Sequence, residues 1–549
     1  MTTESATLDG VDDSGVARRN VLKRSGAFIG LSALGMLSAA SARAEMKPNI
    51  VFILADDLGW KDVGYHGSDI KTPNIDKLAQ TGAQLEEFYV QPMCTPTRAA
   101  LLTGRYPLRY GLQTAVIPSA GRYGLATDEW LLPQALKEAG YQTAIVGKWH
   151  LGHVDQKYWP SQRGFDHSCG PLIGEIDHFK HESRGVTDWF RNNKLVKEPG
   201  YDTQLFGADA VRVIDAHDTK SPLFLYLAFT APHTPYQAPQ NYLDMYKGIA
   251  DPSRRAYAAQ ITAMDDEIGK VVDALAKRNM RDNTLILFAS DNGGTRSNLF
   301  VGEAEVKGEL PPNNGPYRDG KGSVYEGGTR VVAFANWPGQ IKPGVVNEMR
   351  HIVDMYPTFT GLAGAQLGKN KPLDGIDLWP TISEGKPSPR NEMVYNVEPY
   401  RAGVRKGNWK LVWTTLLPPR LELFDLSKDP SESTNLADQN PDKVKELQAW
   451  VIDLAKQSAP PLFLLELVRL GLSHEPEFPD LGGTLDWVAM STILTHSGHE
   501  RLKITAVQTD SRNPFHLSQI PAVITCRKRE RTRCDDVSLA RPTAKRPRA

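Results

Sequence analysis

Four apolar runs constrain this chain more than anything else in it. "NIVFILADD" from Asn49, "QTAIVGKWH" from Gln142, "PLFLYLAFTAPH" from Pro222 and "NTLILFASDN" from Asn283 are each apolar on both alternating faces. A run of that kind reads as a strand buried on both sides. Between the runs, "TPNIDKLAQTG", "LLPQALKEAG" and "AQITAMDDEIGKVVDALAKR" carry helical spacing. The alternation predicts an α/β fold, a large mixed and mostly parallel sheet sandwiched by helices, lasting to about Trp379.

Each run ends in a group that carries charge or protons. The first ends in Asp56 and Asp57, the second in Lys148 and His150, the third in His233, and the fourth in Asp291 and Asn292. Ligands of open α/β sheets bind outside the carboxyl ends of the strands. Any one of these residues is ordinarily a turn former, a helix cap or a satisfied loop histidine. Four on one rim point to a site.

The acids and the amide, Asp56, Asp57, Asp291 and Asn292, are hard oxygen donors suited to Ca²⁺, or less well Mg²⁺, rather than a soft metal. Three carboxylates brought together without a cation are costly. Arg98, Lys148 and Lys321, with His150 and His233, form a set that stabilises a tetrahedral oxyanion and moves protons to and from oxygen. A nucleophile is still required.

The residue beside Arg98 is Cys94, in "MCTPTRAALLTGRYP", where a helix begins. A helix N-terminus lowers a thiol pKa and makes Cys94 a reactive thiolate; the competing reading is an inert buried cysteine. Neither explains a soft sulfur serving a hard cation and a hard anion.

"CTPTRAALLTGRYP" resembles the Cys-x-Pro-x-Arg signature of the type I sulfatases, and "GYQTAIVGKWHLG" is similar to their second signature. The resemblance runs from about Pro48 to about Lys456, and it implies an alkaline-phosphatase-like fold. It further implies that Cys94 is oxidised by a maturase to Cα-formylglycine, whose hydrated aldehyde supplies an oxygen nucleophile. By the same resemblance Asp56, Asp57, Asp291, Asn292 and the modified Cys94 hold calcium. Arg98 orients the formylglycine, Lys148 and Lys321 bind sulfate, and His150 and His233 handle protons. The implied reaction is hydrolysis of a sulfate monoester, with the motif spacing closest to the arylsulfatase A and B branch. Two alternatives are a phosphonate or phosphate monoester hydrolase of the same superfamily and a non-catalytic sulfoglycan-binding protein. The loops Asp155 to Thr187 and Ser297 to Arg318 are where the substrate's alcohol would be recognised. Trp159, His167, His178, His181 and Trp189 are candidates there, either as substrate contacts or as packing residues.

The flanks read differently. Arg18 and Arg19, an apolar run from Ala27 to Ala40 and Ala42-Arg43-Ala44 resemble a twin-arginine export signal over residues 1–44, so the mature chain is expected to be exported to the periplasm or beyond. Residues 45–390 are expected to form the catalytic unit, and 391–460 a small antiparallel sheet with a helix. The stretch 461–549 has no clear period and ends in a basic tail expected to be disordered. Lys plus Arg and Asp plus Glu number 64 each, which removes any whole-chain case for nucleic acid or a membrane surface. Cys94, Cys169, Cys526 and Cys534 have neither disulfide-framework nor zinc spacing.

Overall fold

The computed structural model describes residues 47–302, 306, 308–416 and 418–472, and three short strands at Ala489–Ser491, Thr505–Asp510 and Asn513–Gln519. The export-signal segment, Cys526, Cys534 and the basic tail lie outside the described residues.

Ten strands form the main sheet. In chain order they are β1 (Asn49–Ala55), β2 (Ala83–Leu85), β3 (Gln142–Gly147), β4 (His167–Gly170), β5 (Phe190–Arg191), β6 (Lys194–Leu195), β7 (Leu223–Ala228), β8 (Thr284–Ser290), β9 (Ala333–Asn336) and β10 (Gly344–Val346). Across the sheet they run β10-β2-β9-β8-β1-β7-β3-β4-β5-β6. The five central strands, β8-β1-β7-β3-β4, are mutually parallel, so their carboxyl ends open on one rim. Antiparallel pairings of β9 with β8 and β2, and of β5 with β4 and β6, make the sheet mixed toward its edges.

The continuous apolar runs are explained by what covers them. Ile50, Phe52 and Leu54 of β1 point into one core, and Val51, Ile53 and Ala55 into a second on the other face. The first core holds Ala99, Leu101 and Leu102 of the helix Cys94–Thr103, with Leu132 and Phe359 from two further helices. The second holds Ile75, Phe206 and Met264 from the helices Pro73–Gln80, Asp202–Ala216 and Pro252–Lys277. Full burial of one such aliphatic side chain is worth roughly 1.5–3 kcal/mol, so charge inside these runs would be excluded.

A second, antiparallel sheet joins Glu392–Glu398, Arg401–Lys406, Trp409–Thr414 and Arg420–Asp425 in consecutive order, with the helix Pro441–Lys456 after it. Val394, Val404, Leu411 and Leu447 extend the first core, so this sheet lies on the same side as the Cys94 helix. Past residue 460, where the sequence shows no period, the helix Leu462–Leu472 follows. Its start is tied to the main body through Leu462 N donating to Gly111 O at 2.9 Å and Arg122 N donating to Glu466 Oε1 at 3.1 Å. Among the described residues no helix is long and apolar enough to cross a membrane.

Candidate active site

Local backbone chemistry delivers each polar group to the rim. β1 ends at Ala55, and the next two residues are Asp56 and Asp57, both buried. Asp57 has φ 65°, a left-handed conformation that costs a non-glycine residue of order 1–3 kcal/mol and turns its side chain back over the sheet end. His150 does the same after β3, at φ 59°. Gly147 closes β3, and a Cβ there would stand 1.8 Å from Ala228 O, so only glycine lets β3 and β7 end side by side. Lys148 follows directly.

The helix Cys94–Thr103 is buried along its whole length and stops at Gly104, whose φ of 67° forms a left-handed C-terminal cap. Pro96 lies in the first turn, where a backbone N–H has no helical partner to lose. The helix N-terminus therefore points at the rim, with Cys94 first.

The side chains then converge. Cys94 Sγ is 3.4 Å from Asp56 Oδ1 and 3.5 Å from Asn292 Oδ1. Arg98 donates through Nε and Nη2 to Asp291 Oδ2 at 3.1 and 2.8 Å, and through Nη1 to Lys148 O at 3.0 Å. Lys148 Nζ donates to Asp56 Oδ2 at 2.5 Å, and Lys321 Nζ to Asp57 Oδ2 at 2.9 Å. His233 Nε2 is 3.6 Å from Asp57 Oδ2. One ligand atom each from Asp56, Asp57, Cys94 and His233 lies within 4.8 Å of all the others, a spacing able to hold a metal ion. Three carboxylates thus face three cations in a pocket shut from water.

Burial and these charges move the titrations apart. Burial alone would raise the Asp56 carboxyl, but Lys148, His233, Arg98 and Lys321 outweigh it and hold it far below the usual range. Burial, with the charges of Asp291 and Asp56, pushes the Cys94 thiol well up. Burial and two carboxylates thus oppose the thiolate that a helix N-terminus would favour. His150 is held well below its ordinary value, by burial first and then by Lys148 and Arg98. His233 is lowered by burial and Lys321.

Three of the loop candidates are buried, and the other two, Trp159 and His167, are partly exposed. Trp189, His178 and His181 are 0, 1 and 2 % exposed. His181 stacks on Trp189 with ring centroids 4.1 Å apart. His167 Nε2 pairs with Asp209 at 2.7 Å, and the indole of Trp159 donates to His153 O at 2.7 Å.

Other residues at the site were not singled out by the sequence. Thr295 Oγ1 donates to Asp57 Oδ2 at 2.9 Å. Thr95 Oγ1 donates to His150 O at 3.0 Å and accepts from Ile117 N at 3.1 Å. Tyr257 OH accepts from Gly59 N at 3.0 Å and donates to Asp62 at 3.0 Å, bracing the loop after Asp57. Thr95 lies inside the quoted Cys94–Arg98 stretch and Thr295 three residues past Asn292, but nothing in the sequence marked either as a site residue.

Known proteins resemble this chain in sequence and fold. Residues 48–365 match the sulfatase family model, and residues 318–457 match that of the N-sulphoglucosamine sulphohydrolase C-terminal region. Mouse (Mus musculus) arylsulfatase J is 40% identical over 390 residues, which cover 69% of this chain and 63% of that protein. Mouse N-acetylgalactosamine-6-sulfatase is 35% identical over 409 residues, 70% of this chain and 75% of that one. Among solved structures, Ps i-CgsB in complex with k-i-k-neocarrahexaose superposes with a TM-score of 0.70 at 34% identity, covering 78% of this chain and 99% of that chain. The mixed sheet, the small antiparallel sheet beside it and these matches have one explanation: the chain is an enzyme of the sulfatase family.

Proposed function

We propose that this site hydrolyses sulfate monoesters, with a sulfated carbohydrate as the natural substrate class. The observation that carries the reading is the buried set of three carboxylates and three cations closing on Cys94. The carbohydrate assignment rests on mouse N-acetylgalactosamine-6-sulfatase and on the oligosaccharide bound to Ps i-CgsB.

The donors fit a hard divalent cation. Asp56, Asp57, Asp291 and Asn292 are 0 to 3 % exposed and all oxygen-bearing, and calcium is the ion we assign to them. The charges of Arg98, Lys148 and Lys321 cancel those of the three acids, so a bound divalent ion would leave the pocket with a net charge of about +2, which favours an anionic ester. Calcium, when bound, supplies charge stabilisation to an ester oxygen. Cys94 fits conversion to formylglycine: oxygens of Asp56 and Asn292 surround it, and its thiol is of little use as a thiolate. The hydrated aldehyde supplies an oxygen nucleophile and a second hydroxyl whose loss of a proton lets sulfate leave from the first and restores the aldehyde.

Lys148 and Lys321 bind the sulfate oxygens through Nζ. Arg98, locked between Asp291 and the Lys148 carbonyl, orients position 94. His233 Nδ1 donates to Thr234 O at 2.7 Å and Nε2 lies 3.6 Å from Asp57 Oδ2, so that in its imidazolium form the ring passes the Nε2 proton to the departing alcohol. His150 Nε2 donates to Ile117 O at 3.0 Å, while Nδ1 is buried without a protein partner and serves as the base. Maturation before export through the twin-arginine route, to the periplasm or outside, completes the reading.

The test pairs a mass with a rate. Protein made in its native host, or with a formylglycine-generating maturase, is expected to carry an aldehyde or its hydrate in the Cys94 peptide and to turn over an aryl sulfate faster than the matching phosphate ester. An unmodified cysteine in protein that still turns over sulfate esters overturns the nucleophile. Faster phosphate turnover overturns the substrate class.

A further inference from the structure

His233 sits on a segment, residues 229–235, that belongs to no helix or strand, so its backbone groups find partners outside a regular ladder. The His233 N–H donates to Thr230 O at 2.9 Å. Its carbonyl lies 3.1 Å from His178 Nε2 and accepts from Gln260 Nε2 at 3.2 Å. His178 Nδ1 in turn lies 2.8 Å from Asp202 Oδ2, and that same oxygen accepts from Thr230 Oγ1 at 2.6 Å. Asp202 Oδ1 accepts from the Thr203 N–H at 2.5 Å, and Asp202 N donates back to His178 O at 2.9 Å. The network is closed: Asp202 holds both His178 and Thr230, and these two hold the two ends of the His233 peptide.

Every member is shut from water. His178 is 1 % exposed, and Asp202 and Gln260 are 0 % exposed. Nδ1 of His178 faces the Asp202 carboxylate, and Nε2 faces the His233 carbonyl with the Gln260 amide nitrogen also 3.1 Å away. Burial would lower the His178 titration, but the Asp202 carboxylate outweighs it and raises it. A buried ion pair of this kind is weak evidence for stability, because its desolvation offsets much of its attraction. The network is better accounted for by what it holds.

We propose that His178 and Asp202 are positioning residues for His233, clamping its peptide so that Nε2 meets the ester's leaving oxygen. The inference rests on the reading of His233 as the group that protonates the departing alcohol. A displaced proton donor slows the reaction most where the leaving group needs the proton most. A merely structural pair slows all substrates alike.

The experiment uses the mature enzyme and a series of aryl sulfates whose phenols span good to poor leaving groups. Wild type, His178→Leu, His178→Gln and His233→Ala are compared by kcat/KM. In His178→Leu the loss is expected to be roughly tenfold greater for the poorest leaving group than for the best, with His178→Gln, which keeps a donor, recovering most of it. A loss in His178→Leu that is equal across the series, while His233→Ala shows the gradient, overturns the clamp and leaves the His233 assignment standing. Equal losses in both variants overturn both. Should His178→Leu fail to fold, Asp202→Asn keeps the side-chain volume and is measured on the same series: a gradient there supports the clamp, and a uniform loss overturns it.

Discussion

Lys148 Nζ stands 2.5 Å from Asp56 Oδ2, and neither side chain has any exposed surface. The ammonium occupies one oxygen of a carboxylate that we assign to calcium, so it limits cation affinity while supplying positive charge for the ester. Those two effects separate by mutation. Lys148→Met leaves three carboxylates against two cations, with only Arg98 Nη2, at 3.5 Å, still beside Asp56 Oδ2. Calcium is expected to bind at least about tenfold more tightly, while turnover of an aryl sulfate falls by about 100-fold or more. Calcium titration calorimetry and initial rates decide it, and weaker calcium binding in the variant counts against the assignment.

Cys94→Ser tests why one hydroxyl is not enough. A serine at the helix start offers an attacking oxygen without the second hydroxyl that releases sulfate. We expect a single turnover that leaves one sulfate on the protein and then stops. Labelled sulfate retained on the chain with no steady-state rate is the predicted result, and sustained turnover excludes it.

Metal removal follows from the charge arrangement. A ligand at about one hundred times its Kd stabilises the native state by roughly 2.7 kcal/mol. Chelation is therefore expected to lower Tm by a few degrees and to abolish turnover. Calcium is expected to restore both, and magnesium less completely, because its smaller shell demands stricter octahedral geometry. An unchanged Tm on chelation in scanning calorimetry contradicts a metal at this cluster.

Glu398 gives a pH signature away from the chemistry. Burial, against the opposing charge of Arg401, pushes its carboxyl up to about 7 from an ordinary 4.5, and its Oε2 has no hydrogen-bond partner. A carboxyl whose folded-state pKa is raised costs nothing below its unfolded value, and its penalty grows as pH rises to the folded value. Wild-type stability is thus expected to decline between about pH 4.5 and 7 by a few kcal/mol on this account. Glu398→Gln should match wild type near pH 5 and exceed it at pH 8. Denaturant unfolding at the two pH values reads the difference, and equal gaps at both refute it.

Much of the catalytic rim was legible from local pattern alone. β1, β3, β7 and β8 lie where the apolar runs end, because a strand covered on both faces admits no charge until the chain leaves the sheet. Asp56, Asp57, Lys148, Asp291 and Asn292 are therefore first in line past the strands. His150 and His233 follow within a few residues. Lys321 follows no strand, and the resemblance of "DGKGSVYEGG" to a family motif was what singled it out.

Sequence by itself thus determined which chemical groups leave the sheet on one rim, since alternation and burial act over a few neighbouring residues. Only the tertiary structure decided which groups meet and how dry their meeting place is. It put Arg98 on Asp291 and Lys321 on Asp57, and it turned Cys94 from a helix-start thiolate into a buried thiol beside carboxylates. It also moved His178 from a candidate sugar contact to the underside of His233. Those outcomes depend on Coulomb and desolvation energies between residues far apart in the chain, which no local spacing encodes.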